Sequence, residues 1–187
     1  MLGSPSVANG MVFASSDLRS YYGVNATTGD IVWNFTDPVA MEFIASSPLY
    51  VDGQLFIIDK FSIMSLNAST GEINWSFFTG DELYTSLSYA DGKLYMMTSQ
   101  RHIYILDANN PGAKLATYET PSGSWSSPTI ANERLYIGNH DWNVYCFSGK
   151  TESIVPTTTP NDISSEPVDF LLIGGFIVAL IVLIAAM

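Results

Sequence analysis

The chain has 187 residues, 18 of them acidic and 7 basic, for a formal net charge of −11. That balance excludes nucleic-acid binding as a main activity, because phosphate recognition draws on clustered Lys and Arg. A lone cysteine, Cys146, excludes an internal disulfide framework and a multi-cysteine metal site. Along the chain, one decapeptide template recurs four times: SPSVANGMVF (Ser4–Phe13), SPLYVDGQLF (Ser47–Phe56), SLSYADGKLY (Ser86–Tyr95) and SPTIANERLY (Ser127–Tyr136). The starts lie 43, 39 and 41 residues apart. A second template follows in step as VNATTGDIVW (Val24–Trp33), LNASTGEINW (Leu66–Trp75) and LDANNPGAKLA (Leu106–Ala116). The fourth copy reaches only FSGK, Phe147–Lys150.

Each copy spells four short strands. Ser-Pro opens an extended run, because proline drives its predecessor out of the helical region. Asn9-Gly10, Asp52-Gly53 and Asp91-Gly92 are the dipeptides of a two-residue hairpin, in which both residues need positive φ. A second strand, a polar tip and a third strand follow. Thr-Gly at 28–29 and 70–71 then turns the chain into a fourth strand carrying Trp33 or Trp75. Four-stranded antiparallel units at a period near 41 predict an all-β fold, a β-propeller of about three and a half blades. Residues 1–150 form that part, with blades starting near 4, 47, 86 and 127.

The pattern Asn/Asp-Ala-x-Thr-Gly-Asp/Glu-x-x-Trp after an apolar-Tyr-x-apolar strand resembles the repeat of the pyrroloquinoline quinone (PQQ) enzyme type of β-propeller. That family includes quinoprotein dehydrogenases and a non-enzymatic outer-membrane assembly lipoprotein. The resemblance covers roughly residues 4–150. It implies that Gly29 and Gly71 allow the turn and that Trp33 and Trp75 dock one blade on its neighbour. Repeat three replaces the tryptophan with Ala116 and inserts one residue near Asn110-Pro111. Since the family commonly has seven or eight blades, the chain reads as the C-terminal part of a longer array. Its ring is then closed by upstream blades or by self-association. The opening MLGSPSVANG has neither the basic nor the apolar region of a signal peptide.

Residues 151–169 hold three prolines and many Ser and Thr, the composition of an extended linker or stalk. Residues 170–187 are uninterrupted by charge, and 18 residues at about 1.5 Å each span roughly 27 Å as a helix. A C-terminal transmembrane helix is expected there, with a processed lipid-anchor signal as the alternative. No Lys or Arg flanks the segment to fix its orientation. The acidic stalk and four sequons, Asn25, Asn34, Asn67 and Asn74, suit an extracellular propeller, although Asn25 and Asn67 also belong to the repeat template.

Catalytic signals are sparse. The resemblance implies a catalytic Asp, a calcium ion held by carboxylates and amides and, in some members, a vicinal cysteine pair. One cysteine rules out the pair. Asp17, Asp59 and Asp141 fall at equivalent hairpin tips, where Asp bonds its own backbone, and His102 and His140 lie near equivalent tips of different blades. Cys146 stands between Tyr145 and Phe147 as a packed thiol. Ala45, Tyr84 and Trp125 share the position two residues ahead of the repeat serine, so Tyr84 and Trp125 are candidates to stack on a ligand or partner at the central channel, with blade-to-blade packing as the other reading.

The sequence thus points to a non-enzymatic cell-surface propeller, held in the membrane by its C-terminal helix, that needs no cofactor and binds a protein or glycan partner. The alternative is a fragment of a PQQ-dependent dehydrogenase whose site lies in missing blades.

Overall fold

A computed structural model describes residues 3–16, 20–36, 46–110, 113–148 and 179–183. The stalk at 151–169, most of the apolar tail, Asp17, Ala45 and Pro111 lie outside the described residues. Four four-stranded antiparallel sheets follow one another, each with its strands in chain order. The first comprises β1 (Ser6–Ala8), β2 (Met11–Ser15), β3 (Ser20–Asn25) and β4 (Ile31–Thr36). The second comprises β5 (Leu49–Val51), β6 (Gln54–Asp59), β7 (Ser62–Asn67) and β8 (Ile73–Phe78). The third comprises β9 (Ser88–Ala90), β10 (Lys93–Met97), β11 (His102–Asp107) and β12 (Lys114–Glu119). The fourth comprises β13 (Thr129–Ala131), β14 (Arg134–Gly138), β15 (Val144–Ser148) and β16 (Ala179–Leu183).

The first hairpin of each sheet is a turn with two positive φ values. They are 46° and 72° at Asn9-Gly10, 45° and 83° at Asp52-Gly53, 49° and 70° at Asp91-Gly92, and 51° and 60° at Asn132-Glu133. Three sheets thus place glycine second, and the fourth forces a glutamate into the left-handed region. The second template is a turn closed by its own asparagine or aspartate. Asn25 Oδ1 accepts from the amides of Thr27 and Thr28, Asn67 Oδ1 from Ser69, and Asp107 Oδ1 from Asn109 and Asn110. Entering the fourth strand, each of the first three sheets shifts register at the same place, after Gly23, Ser65 and Ile105.

The repeat serine has a structural job. The Ser4 amide donates to Ser47 Oγ at 2.9 Å, the Ser47 amide to Ser86 Oγ at 2.9 Å, and the Ser86 amide to Ser127 Oγ at 2.8 Å. Each sheet therefore passes one hydrogen bond to the next along the innermost strands. Between successive sheets lie the cores. Phe13, Tyr21 and Trp33 pack on Leu55, Ile57, Met64, Leu66 and Ala68. Phe56, Ile58, Ile63 and Trp75 pack on Leu94, Met96, Tyr104, Leu106 and Ala108. Met97 and Ile103 pack on Leu135 and Ile137, a smaller set.

Trp33 shows why the template needs its glycine. Its indole Nε1 donates to the Ala68 carbonyl at 2.9 Å, and its ring lies where a Cβ on Gly71 would stand, 2.7 Å away. Gly71 also has φ +75°, which disfavours any side chain. Within its own sheet Trp33 is paired with Gly23, whose absent Cβ makes room for the ring. Trp75 is paired with Ser65, and Ala116 with Ile105. Where the tryptophan is lost, the residue beside it has grown.

The fourth sheet corrects one expectation. It was expected to stop at its third strand, yet Ala179–Leu183 pairs antiparallel with β15, matching Val144 with Leu183 and Ser148 with Ala179. An open sheet edge recruits a β-branched apolar run, and Ile181 and Val182 belong to one. The helix expected over 170–187 falls on residues outside the description, apart from these five, which stand as a strand. Among the described residues no helix is long and apolar enough to cross a membrane.

Candidate functional site

Connections between sheets and the second hairpin within each sheet meet at one end of the molecule. The Leu83 amide donates to the Lys60 carbonyl at 2.8 Å, the Ser124 amide to Thr98 at 3.3 Å and the His140 amide to Gly123 at 3.0 Å. At Gly123 the approach is so close that a Cβ would stand 1.9 Å from the Ser99 carbonyl oxygen. Here the structure brings together three residues named above, Tyr84, Trp125 and His140. The Tyr84 and Trp125 rings meet edge-on with centroids 6.1 Å apart, and Trp125 and His140 meet at 5.1 Å and 90°. Trp125 is held from both sides. Ser124 Oγ donates to the Gly138 carbonyl at 2.5 Å, and the Ser126 amide donates to Ser124 Oγ at 2.8 Å. Even so, its side of the cluster is open: Trp125 is 65% exposed, and Trp142 on the neighbouring hairpin tip is 93% exposed. Trp142 was not singled out from the sequence. Its signal is a tryptophan at a hairpin tip, with φ +68°, where turn residues are the norm.

A second cluster was missed because it joins a connection between sheets to the sheet that follows it. Asp81, in the connection from the second sheet to the third, takes His102 Nδ1 at 2.5 Å. Asp81 Oδ2 also accepts from Thr98 Oγ1 and Tyr104 Oη, each at 3.3 Å. Burial, then the Asp81 charge, raises the Tyr104 phenol above its ordinary value. His102 is thus a half-buried partner of a carboxylate rather than a free turn residue. Beside it, Lys60 Nζ pairs with Glu82 at 3.0 Å. Asp59 Oδ1 accepts from the Lys60 amide at 2.6 Å, and Asp141 Oδ1 accepts from the Asn143 amide at 3.1 Å, so both carboxylates bond their own turns. Asp141 Oδ2 also accepts from Tyr145 Oη at 2.5 Å. Cys146 is buried in β15.

These groups do not fit a quinone and calcium site. Calcium takes about six to eight oxygens, several from carboxylates. Of the acids at this end, Asp81, Glu82, Glu119 and Asp141 are each engaged by a neighbouring side chain, and Asp59 bonds its own turn. Among the described residues no three His, Cys, Asp or Glu side chains converge as a metal ion requires. The sequon asparagines divide into two kinds. Asn25 and Asn67 spend their amide oxygens on turn amides, while Asn34 and Asn74 stand exposed on β4 and β8, with Asn74 Nδ2 donating to Ser65 Oγ at 3.1 Å.

With the sheets and the inter-sheet tryptophan in place, the family can be stated. Residues 1–158 match the PQQ-type repeat family described as "Outer membrane protein assembly factor BamB". The chain belongs to the PQQ-type repeat propeller family. Its first 158 residues carry the match, and relatives extend well beyond it. Tetrathionate hydrolase from Acidithiobacillus ferrooxidans is 26% identical over 147 residues, 79% of this chain and 26% of that protein. The structure of BamB from Moraxella catarrhalis superposes with a TM-score of 0.64 at 18% identity, covering 77% of this chain and 44% of that one. Quinohemoprotein alcohol dehydrogenase from Comamonas testosteroni gives 0.63 at 13% identity, covering 78% and 29%. The chain therefore spans about a quarter of the curated relative and less than half of these structures, and the structural likenesses concern the fold alone.

Proposed function

We propose that this protein is a non-catalytic propeller that binds a protein or glycan partner through Tyr84, Trp125, His140 and Trp142. The observation that carries this reading is the exposure of Trp125 and Trp142 at one end of the sheets. Large aromatics are costly to leave in water, and exposed clusters of them mark interaction sites. Tyr and Trp also offer wide, stiff contact surfaces with a polar edge. Membership of a family described by an assembly factor supports a scaffolding role. The engaged acids of the same end speak against turnover. In this reading the uncharged segment 170–187 anchors the chain as a single-pass membrane protein, with the propeller outside and Asn34 as the most open glycan acceptor of the four sequons. A membrane helix and the pairing of Ala179–Leu183 with β15 exclude one another, so anchoring implies that β16 leaves the sheet.

The test is a glycan and peptide array probed with the full chain in detergent, alongside Trp125→Ala. Binding to a defined probe that Trp125→Ala abolishes, with unchanged melting, supports the reading. Equal binding by the variant overturns it. A parallel dye-reduction assay with PQQ and calcium over alcohols and aldose sugars is expected to stay at background. Turnover there would favour the dehydrogenase-fragment reading. Protease added to intact source cells is expected to cut the 151–169 stalk, and protection until lysis would reverse the orientation.

A further inference from the structure

The end that carries Trp125 and Trp142 is also acidic. Among the described residues, Asp59, Asp81, Glu82, Glu119 and Asp141 stand there against Lys60 and Arg101. Lys60 pairs with Glu82 and Arg101 with Glu119, so both bases are committed and the end keeps a negative balance. In these carboxylates, hydrogen-bonding capacity and charge part company. Asp81 accepts from His102, Thr98 and Tyr104, and Asp141 accepts from Asn143 and Tyr145. Oxygens already bonded to neighbours offer little to the hydroxyls of a sugar. Their charge still acts through space, over about 10 Å at roughly 0.1 M salt. A cation gains from that field, whereas a neutral glycan does not.

The chain holds one of its own cations in this manner. Lys60 Nζ lies 5.3 Å from the centroid of the Phe61 ring and 3.0 Å from Glu82 Oε1, so a ring face and a carboxylate share one ammonium. Trp142 follows Asp141 directly in the chain and is 93% exposed. His140, on the same hairpin tip, meets Trp125, which is 65% exposed. Tryptophan is the ring that attracts cations most strongly. We propose that the aromatic cluster binds a basic polypeptide segment, whose Arg or Lys side chains sit on the Trp125 and Trp142 rings in the field of Asp81, Glu82 and Asp141. This inference rests on the reading of that cluster as a binding surface and adds the charge of what binds there. Arginine suits it better than lysine, because a planar guanidinium stacks on a ring and is more weakly hydrated.

The experiment uses the full chain in an uncharged detergent and short dye-labelled peptides read by fluorescence anisotropy. One peptide alternates Gly with Arg, a second Gly with Lys, and a third Gly with citrulline, which keeps the shape of arginine without its charge. The Arg peptide is expected to bind tightest, and the citrulline peptide about tenfold more weakly or worse. Raising the salt from about 0.05 M to about 0.5 M should weaken the Arg peptide roughly tenfold, because exposed charges are screened. Trp125→Leu and Trp142→Leu keep apolar bulk but lose the indole face. Each should weaken the Arg peptide by about three- to tenfold with unchanged melting. Equal binding of the Arg and citrulline peptides overturns the inference. So does Arg-peptide binding that neither tryptophan variant alters, which would be attraction to the acids alone. The glycan array separates the two readings. Trp125-dependent binding of a neutral glycan, without binding of the Arg peptide, leaves the aromatic surface standing and overturns this inference. Silence of every glycan and peptide overturns both.

Discussion

The junction between the first and second sheets and the junction between the third and fourth are built from one template, yet they are held differently. In the first, Trp33 bonds the Ala68 carbonyl, lies against Gly71 and tilts toward Phe13, which itself stacks on Tyr50 at 5.8 Å. In the other, Ala116 takes the tryptophan's place, Ile105 is paired beside it, and Tyr118 meets Phe147 with centroids 6.4 Å apart. The aromatic cluster spans this junction, since Tyr84 lies in the connection ahead of β9, Trp125 in the connection ahead of β13 and His140 in the hairpin between β14 and β15.

The largest expected effect breaks the strong junction outright. Trp33→Ala removes a buried ring and a hydrogen bond, and is expected to cost about 3–5 kcal/mol. Its counterpart, Ala116→Gly, should cost only about 0.5–1 kcal/mol. Urea denaturation of both variants measures the difference. Similar losses would mean that the two junctions are equally held after all.

A second pair sharpens the comparison within the glycines. Gly71→Ala meets both a left-handed backbone and the Trp33 ring, so it should cost roughly 2–4 kcal/mol. Gly29→Ala has the same conformation but open space, and about 1 kcal/mol is expected. Melting temperatures of the two variants rank them, and equal losses would show that the turn conformation, not the tryptophan contact, sets the requirement.

Much of this architecture was legible in the sequence because the templates recur in step, so strand order and hairpin dipeptides follow from one repeat unit, whereas the seat of Trp33 against Gly71 emerges from the fold. Legibility failed where the deciding partner is distant or non-periodic. Asp81, in the connection ahead of the third sheet, meets His102 on that sheet, and no spacing within a repeat announces it. Asn25 and Asn67 match a glycosylation signal, yet their carbonyl oxygens belong to turns. The run at 179–183 is apolar on every side, so its periodicity does not distinguish strand from membrane helix, and its partner strand lies some 35 residues back. Of the aromatic cluster, position within the repeat singled out Tyr84 and Trp125 and put His140 near a tip, whereas the Trp125–His140 contact and the exposure of Trp142 needed the hairpin geometry.

The weaker end also carries a pH signature. The Tyr145 phenol is pushed up to about 12, first by burial and then by the hydrogen bond and charge of Asp141. A raised phenol holds its proton more tightly in the folded state, so this stabilisation is complete below the ordinary value of 10.0 and is lost as pH rises through about 12. Tyr95, Tyr104 and Tyr118 are raised as well, chiefly by burial. Stability measured by denaturant should therefore fall between pH 10 and 12, and Tyr145→Phe should make the fall shallower. An unchanged slope in that variant would remove Tyr145 from the account.

The smallest effect is a gain at the same end. Glu133 sits at φ +60° in the one first hairpin that lacks glycine, and its neighbour Asn132 is at +51°. A non-glycine residue in the left-handed region costs about 1–2 kcal/mol, and glycine's greater freedom in the unfolded chain returns about 0.5–1 kcal/mol of that. Glu133→Gly should therefore stabilise the chain by roughly 0.5–1 kcal/mol. Repeating the exchange at an already satisfied hairpin, Gly53→Glu with φ +83°, should lose at least as much. The contact that Glu133 makes in the folded chain works against the gain. A melting temperature that falls in Glu133→Gly would mean that this contact outweighs the backbone strain, and that the fourth sheet is held at its first hairpin by a side chain where the other three rely on glycine.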